Sequence, residues 1–407
     1  MPTPQPFMPR KASWVRLILL MALVCSSALA QETMRPEVAK VLKAAQDALA
    51  TGPVSQALVQ AREALAMPQL SAFERASVLR IVAVASMKAQ DWDTAISSLE
   101  ELLRLPDLSV ADKRPLRESL IAAAHQQKDH ARLVEQARAY LQEGGSHPGI
   151  RLALMQTLSV TRQHEELVRE MQERLRLDAA AGIRTPEQEL RLLASSYREL
   201  KNSEAYRDTL WRLLSAYHGK AYWAEYLYRL LDMPGFNPRL ELDLYRLLEQ
   251  SGNLEKESDY MDMVQLALKA GLPAEAERVL ARGQQAGVLG KDASAHERLR
   301  EQVRKKLRED DAQFAQLEKS AKDGNALAAV GDVLASRQSW AAASQAYMRA
   351  LQAGGLRREA EVRLHHGVAL LRAGQLDAAR QQLQAVQGDA TAQALARLWL
   401  VVSNQPL

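Results

Sequence analysis

The feature that most constrains this chain is a spaced pattern of small and bulky residues that occurs twice in its last hundred residues. Each residue of the first copy has a counterpart 36 residues later: Gly331 and Gly367, Trp340 and Leu376, Ala343 and Ala379, Tyr347 and Leu383, and Ala350 and Val386. Such spacing is typical of a repeated helix-turn-helix unit. A unit of this kind cannot cover its own apolar face, so it must stack on a neighbour. The sequence therefore predicts an extended superhelix, a shape suited to binding.

The same pattern extends back along the chain with decreasing regularity. From Pro36 onward the apolar residues recur at steps of three and four, without sustained alternation, which indicates an all-α fold. Gln90–Trp92 repeats the spacing of Gln338–Trp340, whereas Tyr222–Leu248 is degenerate because Pro234–Pro238 interrupts it. We expect a right-handed α–α superhelix, a solenoid of about eight or nine helix pairs.

The small residues of the pattern have a packing role. Gly331 and Gly367 should let the first helix of a pair approach the second, while Trp92, Trp340 and Tyr347 should fill the space between helices. A large side chain in place of Gly367 is expected to force its two helices apart, at a cost of roughly 1–3 kcal/mol.

Residues 1–30 are typical of a cleaved export signal. Arg10, Lys11 and Arg16 precede an apolar run, and Ala28–Ala30 fits the small-x-small rule for signal peptidase. The sequence thus predicts an exported protein. An uncleaved membrane anchor is the alternative, but Leu17–Ala30 is shorter than the about 20 apolar residues that span a bilayer.

Two consequences follow from cleavage after Ala30. The leader holds three basic residues and no acidic residue, so its removal lowers the formal charge from +4 to +1, and a basic pI is then no argument for nucleic-acid binding. Cys25, the only cysteine, leaves with the leader. A lipid anchor on Cys25 is the alternative, although Val24 occupies the place where lipoprotein signals have Gly, Ala or Ser. The mature chain should fold without disulfides or thiolate metal sites.

The organisation predicted beyond the leader has three parts. A solenoid block covers residues 31–290, a long charged linking helix covers residues 291–320, and a second repeat block covers residues 321–407. In the linking helix, basic residues alternate with acidic ones such as Glu297, Glu301 and Glu309. This mixture favours a solvated helix over a nucleic-acid patch.

These residues together resemble the tetratricopeptide (TPR) repeat, whose period is about 34 residues. The best matches are Gly331-Trp340-Ala343-Tyr347 and Gly367-Leu376-Ala379-Leu383. A narrower resemblance is to the exported TPR proteins found beside TonB, ExbB and ExbD genes in Gram-negative bacteria, and it is carried by Tyr222-Trp223, Ser258–Met261, Gly271–Ala276, Ser339-Trp340 and Ala353–Leu356. This second resemblance implies a periplasmic helper of energised transport across the outer membrane, with no catalytic motif.

Candidate catalytic and metal-binding patterns are weak in this sequence. His365 and His366 are adjacent, so on a helix they point about 100° apart and do not share a metal; we expect one packed and one solvated histidine. Ser195-Ser196 lies in mid-helix without a nucleophile elbow. We therefore predict no enzyme activity, no cofactor and no metal. A hydrolase carrying a repeat domain is the alternative from another class.

Aromatic residues concentrate in one zone of the chain. Of 18 aromatic residues after the leader, 11 lie between Tyr197 and Tyr260, and Tyr and Trp suit both recognition surfaces and helix cores. Within this zone Arg191, Ser195 and Arg198 share one helical face, which in repeat geometry should line a concave groove. With Tyr228 and Gln265, they form the predicted clamp for a peptide.

The predicted function is a non-enzymatic interaction scaffold in the periplasm, an accessory of a TonB-dependent transport system. Its partner would be a protein or an extended peptide, with TonB, ExbB or ExbD components as candidates. Neither nucleic-acid binding nor a stable membrane span is expected. A scaffold for envelope assembly or polysaccharide export is the alternative of the same class.

Overall fold

Helices joined by short turns make up this chain, as apolar steps of three and four residues require. A computed structural model describes residues 34–106, 108–289 and 293–404, and within those ranges it contains twenty α-helices, one short 3-10 turn at Pro238–Leu240 and no β-strand. The all-α class with consecutive helix pairs is confirmed. The leader, its Cys25 and the predicted cleavage site lie outside the described residues.

The chain divides into two compact units between Asn202 and Ser203. The described helices of the first unit are α1 (Pro36–Thr51), α2 (Val54–Leu65), α3 (Ala72–Ala89), α4 (Trp92–Leu103), α5 (Val110–Gln127), α6 (His130–Gln142), α7 (Pro148–Val160), α8 (His164–Ala181) and α9 (Glu187–Glu199). Each packs on the next, and α1 also packs on α3 and α7 on α9. This neighbour-to-neighbour pattern is what a stack of α-hairpins produces.

The second unit contains eleven described helices. They are α10 (Ser203–Tyr217), α11 (Lys220–Leu231), α12 (Glu241–Gln250), α13 (Glu257–Lys269), α14 (Pro273–Gln285), α15 (Ala293–Ser320), α16 (Gly324–Ser336), α17 (Trp340–Ala353), α18 (Glu359–Arg372), α19 (Leu376–Gln384) and α20 (Ala390–Asn404). Here α12 also packs on α20, and α14 on α16, so this unit contains contacts between helices that are distant in sequence.

The long charged segment forms one continuous helix, α15, over the 28 residues Ala293–Ser320. It packs on α14 before it and on α16 after it. It belongs to the second unit, and its role as a link between two repeat blocks stays a prediction. Its contact side includes the buried Leu299 and Val303, while Arg304, Lys305 and Lys306 are exposed.

Several turns inside the hairpins share one backbone conformation. Gln90, Lys128 and Gln338 have φ of 60°, 61° and 58°, and each lies two residues before the next helix. In this left-handed conformation the chain reverses, and the residue that follows can cap the second helix. Asp91 does so by accepting a hydrogen bond from the Thr94 backbone N–H at 3.3 Å. The sequence similarity between Gln90–Trp92 and Gln338–Trp340 thus corresponds to the same turn conformation.

The packing role predicted for the two glycines is confirmed. A Cβ atom on Gly331 would lie 2.5 Å from the ring of Tyr347, and one on Gly367 would lie 2.6 Å from the side chain of Leu383. Tyr347 is fully buried between its helices, as expected. Trp92 and Trp340 are half-buried, each at the first residue of its helix. Trp92 packs against the buried cluster that contains Leu79 and Leu99, so it contributes to the packing without being enclosed by it.

None of the described helices is both long and apolar enough to cross a bilayer.

Candidate functional site

A cavity of about 340 Å³ lies within the second unit, and we call it the second-unit cavity. Its walls come from α12, α14, α16, α17, α18 and α20. The lining residues are Asp243, Arg246, Glu249, Gln250, Glu275, Arg278, Arg282, Ala335, Gln338, Trp340, Tyr347, His365, Val368, Arg372 and Trp399. Charged and aromatic side chains dominate this set. The cavity is therefore suited to a polar ligand with an apolar part.

The chain itself covers one side of the C-terminal repeats. In the loop before α12, the Asn237 backbone N–H donates to Thr391 Oγ1 at 2.8 Å and the Asn237 amide donates to Asp389 Oδ2 at 2.9 Å. Arg239 lies 3.6 Å from Glu361 of α18. These contacts place α12 against α18 and α20. The segment that interrupts the repeat pattern thus forms part of the cavity wall.

Arginines of α12 and α14 are held by buried carboxylates. Arg246 binds Glu275 through two hydrogen bonds of 2.9 and 2.6 Å and also lies 2.8 Å from Asp243. Arg278 pairs with Glu249 at 2.8 Å and with Glu275 at 3.4 Å. Burial opposes the charge on Arg246, but the two carboxylates outweigh it and keep the pKa of Arg246 above its usual range. These charges are compensated inside the protein.

His365 joins α12 to α16 through two carboxylates. Its Nε2 lies 3.1 Å from Asp243 and its Nδ1 lies 2.9 Å from Asp332, which also accepts a hydrogen bond from the Tyr347 hydroxyl at 2.8 Å. Burial alone would lower the pKa of His365, but the two carboxylates raise it to about 10. His365 is therefore a cation at neutral pH. His366 is buried as predicted for one member of the pair, whereas the expectation that the other is solvated is wrong, because both ring nitrogens of His365 contact carboxylates.

Arg372 stands apart from the other cations of the cavity. Its guanidinium carbon lies 5.4 Å from the centre of the Trp399 ring and 6.0 Å from that of Trp340. Among the described residues, no carboxylate lies within ion-pair distance of it. Arg372 as a whole residue is exposed, but partial desolvation by the surrounding groups lowers the pKa of its guanidinium; the charge of Glu249 opposes this effect, and the nearby arginines add to it. Arg372 therefore contacts two indoles through cation–π interactions, while its positive charge has no ion-pair partner among the described residues.

The five residues of the predicted clamp are divided between the two units. Arg191 and Arg198 are exposed on α9, with Ser195 half-buried between them. In the second unit, Gln265 is exposed on α13, and the hydroxyl of Tyr228 on α11 lies 3.5 Å from Asp259. The structure thus confirms a shared face for the first three residues. The clamp as a whole stays a prediction.

The aromatic zone contributes mainly to the core. Six of its aromatic residues are buried: Tyr197, Tyr206, Trp223, Tyr226, Tyr245 and Tyr260. The other five are half-buried, namely Trp211, Tyr217, Tyr222, Tyr228 and Phe236. The core interpretation, one of the two alternatives for this zone, therefore accounts for most of its members.

Sequence reasoning missed the second-unit cavity. Asp243 and His365 are 122 residues apart, and each looks like ordinary helix surface in its own segment. The available signals were Trp340 at a helix start and the adjacent histidines, but neither indicates which helix crosses the C-terminal repeats. No three His, Cys, Asp or Glu side chains in the described ranges are grouped so as to hold a metal.

Comparison with known proteins gives similarity only at the level of solved structures. No family model and no curated protein matches the sequence. A tetratricopeptide repeat protein from Parabacteroides merdae is 10% identical, with 83% of this chain and all of that one covered, at a TM-score of 0.30. The TPR2AB domain of yeast Sti1, in a structure titled as a complex with pHSP90, is 12% identical over 91% of this chain and 99% of that one, at 0.26. Yeast Tom70 is 9% identical over 90% and 96%, also at 0.26. The first two of these structures carry the tetratricopeptide repeat in their names.

Proposed function

We propose that this chain is a non-enzymatic scaffold that binds a protein partner through the exposed face of α9. The observation that carries the proposal is the division of that helix into two faces. Leu190, Leu193 and Tyr197 are buried on one face, while Arg191 and Arg198 are exposed on the other. Because the buried face holds α9 against its neighbours, the polar side chains of the other face extend from fixed positions of the backbone.

The chemistry of this face suits an extended peptide or the end of a partner helix. Guanidinium groups donate several hydrogen bonds to a carboxylate or to backbone carbonyls. Arg191 and Arg198 lie two helical turns apart, about 10 Å along the axis, so they can contact successive groups of one bound segment. Ser195 lies between them and supplies a smaller donor and acceptor.

The site of action we propose is the periplasm, in support of a TonB-dependent transport system across the outer membrane. Residues 1–30 support export, since their charge, apolar run and small-x-small ending have the pattern of a cleaved signal. The TonB assignment is supported by the sequence resemblance of segments such as Ser258–Met261 and Gly271–Ala276.

A capture experiment tests the partner-binding face. The exported full-length chain, tagged at its C-terminal end, would be used as bait in envelope extracts and compared with Arg191→Ala/Arg198→Ala. The matched control is Arg169→Ala/Arg176→Ala, which removes two exposed arginines from α8. We expect the α9 variant to lose the partner and the α8 variant to retain it. Equal recovery by all three proteins would contradict the proposed face.

Identification of the captured proteins tests the transport assignment. Recovery of TonB, ExbB, ExbD or an outer-membrane transporter would support it, and recovery of polysaccharide-export components would replace it with the alternative scaffold role. Osmotic-shock fractionation tests the location separately: the mature chain is expected in the periplasmic fraction, starting at Gln31.

A further inference from the structure

We infer that the second-unit cavity binds a small organic monocarboxylate, with the carboxylate on Arg372 and the apolar body between the rings of Trp340 and Trp399. This inference goes beyond the proposed function and depends on the second unit alone. Its ligand chemistry has two sources, a free small acid or the C-terminal residue of a peptide, and the experiment below separates them.

The first argument is the charge of the cavity. Four arginines line it against the three carboxylates Asp243, Glu249 and Glu275. The protonated His365 lies between Asp243 and Asp332. These two carboxylates are therefore used by His365 and are not available to Arg372. One positive charge is left over on Arg372, which lines the cavity and is exposed to solvent, so an anion can reach it without displacing a carboxylate.

The second argument is a buried donor on the same wall. The Nε of Arg278 is buried and has no acceptor among the described residues, although the other nitrogens of this guanidinium bind Glu249 and Glu275. Buried donors are normally satisfied. Arg278 therefore lines the cavity with a cation whose hydrogen bonds are incompletely satisfied, which adds to the positive character of this wall.

The third argument concerns the walls around Arg372. Trp340 and Trp399 contribute two aromatic rings, while Ala335 and Val368 contribute aliphatic surface. A guanidinium that contacts aromatic rings keeps its N–H donors available at its edge for a carboxylate. A volume of about 340 Å³ is at the lower end of ligand pockets, which run from about 300 to 1,000 Å³. It matches a small acid or one terminal residue.

The same carboxylates that hold the arginines select against a more highly charged ligand. Glu249 and Glu275 are almost fully buried, and both are within hydrogen-bond distance of Arg278. A phosphate dianion at Arg372 would add a second negative charge close to Glu249, whereas a carboxylate adds only one. The cavity thus favours a monoanion with an apolar body over inorganic phosphate.

Titration calorimetry on the full chain tests the inference, with tryptophan fluorescence as a second readout because two indoles flank the site. The probes are benzoate, 3-phenylpropionate, neutral benzamide, inorganic phosphate, and the tripeptide Ala-Ala-Phe as free acid and as C-terminal amide. We expect a carboxylate to bind and benzamide and phosphate not to bind. Binding of the acids alone identifies a free small acid, and binding of the free tripeptide but not its amide identifies a peptide terminus.

Arg372→Gln is the deciding variant, and Arg363→Gln on the same helix is its control, since Arg363 pairs with Glu359 outside the cavity. We expect Arg372→Gln to weaken carboxylate binding about tenfold or more, the loss for one charge-assisted hydrogen bond, and the control to bind like the parent. Far-UV circular dichroism verifies that both variants fold. Absence of carboxylate binding, equal binding of phosphate, or unchanged binding by Arg372→Gln would overturn the inference without affecting the α9 capture experiment.

Discussion

Helices α9 and α18 occupy the same place in their hairpins but present different chemistry. At twelve, eight and five residues before the next helix, α9 has Arg191, Ser195 and Arg198, and α18 has Leu364, Val368 and Leu371. The α9 arginines are exposed, whereas Leu364 is fully buried and the other two residues of α18 are half-buried. The repeat therefore fixes the position of a side chain, and what lies over the face decides its polarity.

The cover over α18 comes from the chain itself. Asn237, Arg239 and Asp243 reach α18 and α20 from the irregular segment before and within α12. A face that packs against the protein gains stability from apolar residues and loses much of it when one partner of a buried ion pair is removed. A face in water gains little from apolar residues or from ion pairs. Four substitutions test this difference between the units.

The largest effect is expected for Arg246→Met. This change leaves Asp243 and Glu275 buried without their shared arginine, so it should lower the free energy of unfolding by about 3–5 kcal/mol. Arg138→Met in the first unit is the comparison, because Arg138 binds Glu166 and Glu170 but is 35% exposed, and it should cost at most about 1 kcal/mol. Urea denaturation measures both. Equal losses would remove the distinction between covered and open ion pairs.

Leu364→Ala should have the next largest effect. Loss of a fully buried leucine typically costs about 2–5 kcal/mol, whereas Arg191→Ala at the same register of α9 should change stability by no more than about 0.5 kcal/mol. Hydrogen exchange locates the damage, which should appear in α12 and α18. A large loss in Arg191→Ala would show that the α9 face is structural.

Gly367→Leu tests the close approach of the two helices within one hairpin, α18 and α19. Its side chain would meet Leu383, which a Cβ atom already approaches to 2.6 Å, and the expected loss is roughly 1–3 kcal/mol. Ala342→Leu, at an exposed position of α17, should be nearly neutral. A thermal melt of both variants checks the order, and a neutral Gly367→Leu would contradict the close approach of the helices.

His365→Gln should have an effect that depends on pH. The pKa of His365 is raised to about 10 in the folded chain and is about 6.5 in an unfolded one. Its stabilisation is therefore fully present below about pH 6.5 and declines until it is lost above about pH 10. The gap in urea midpoint between the parent and His365→Gln should shrink over that range. His130→Gln, at an exposed position of the first unit, is the control variant, and an equal trend in both variants would contradict the role of the two carboxylates around His365.

Local packing was largely predictable from the sequence. Gly331 and Gly367 were expected to let the two helices of a hairpin approach closely, and the structure places Tyr347 and Leu383 against them, because residues within one hairpin are joined by a short turn of fixed geometry. The face shared by Arg191, Ser195 and Arg198 was predictable for the same reason, since helical periodicity alone sets it.

The second-unit cavity was not predictable in this way. The interrupted segment around Pro234–Pro238 was recognised only as a poor repeat, yet it leads into the helix that reaches α18 and α20. Its contacts with Asp389 and Thr391 span more than 150 residues, and nothing in the local pattern of either segment specifies the other.

The sequence by itself determined the helices, their turns and the pairing of small with bulky residues, because these depend on neighbours along the chain. Only the tertiary structure decided that α12 crosses the C-terminal repeats, that His365 lies between two carboxylates, and that Arg372 is left with two indoles and no carboxylate partner among the described residues. Those arrangements depend on the burial of charges brought together from distant segments, and the cost of burying a charge is set by its surroundings in space.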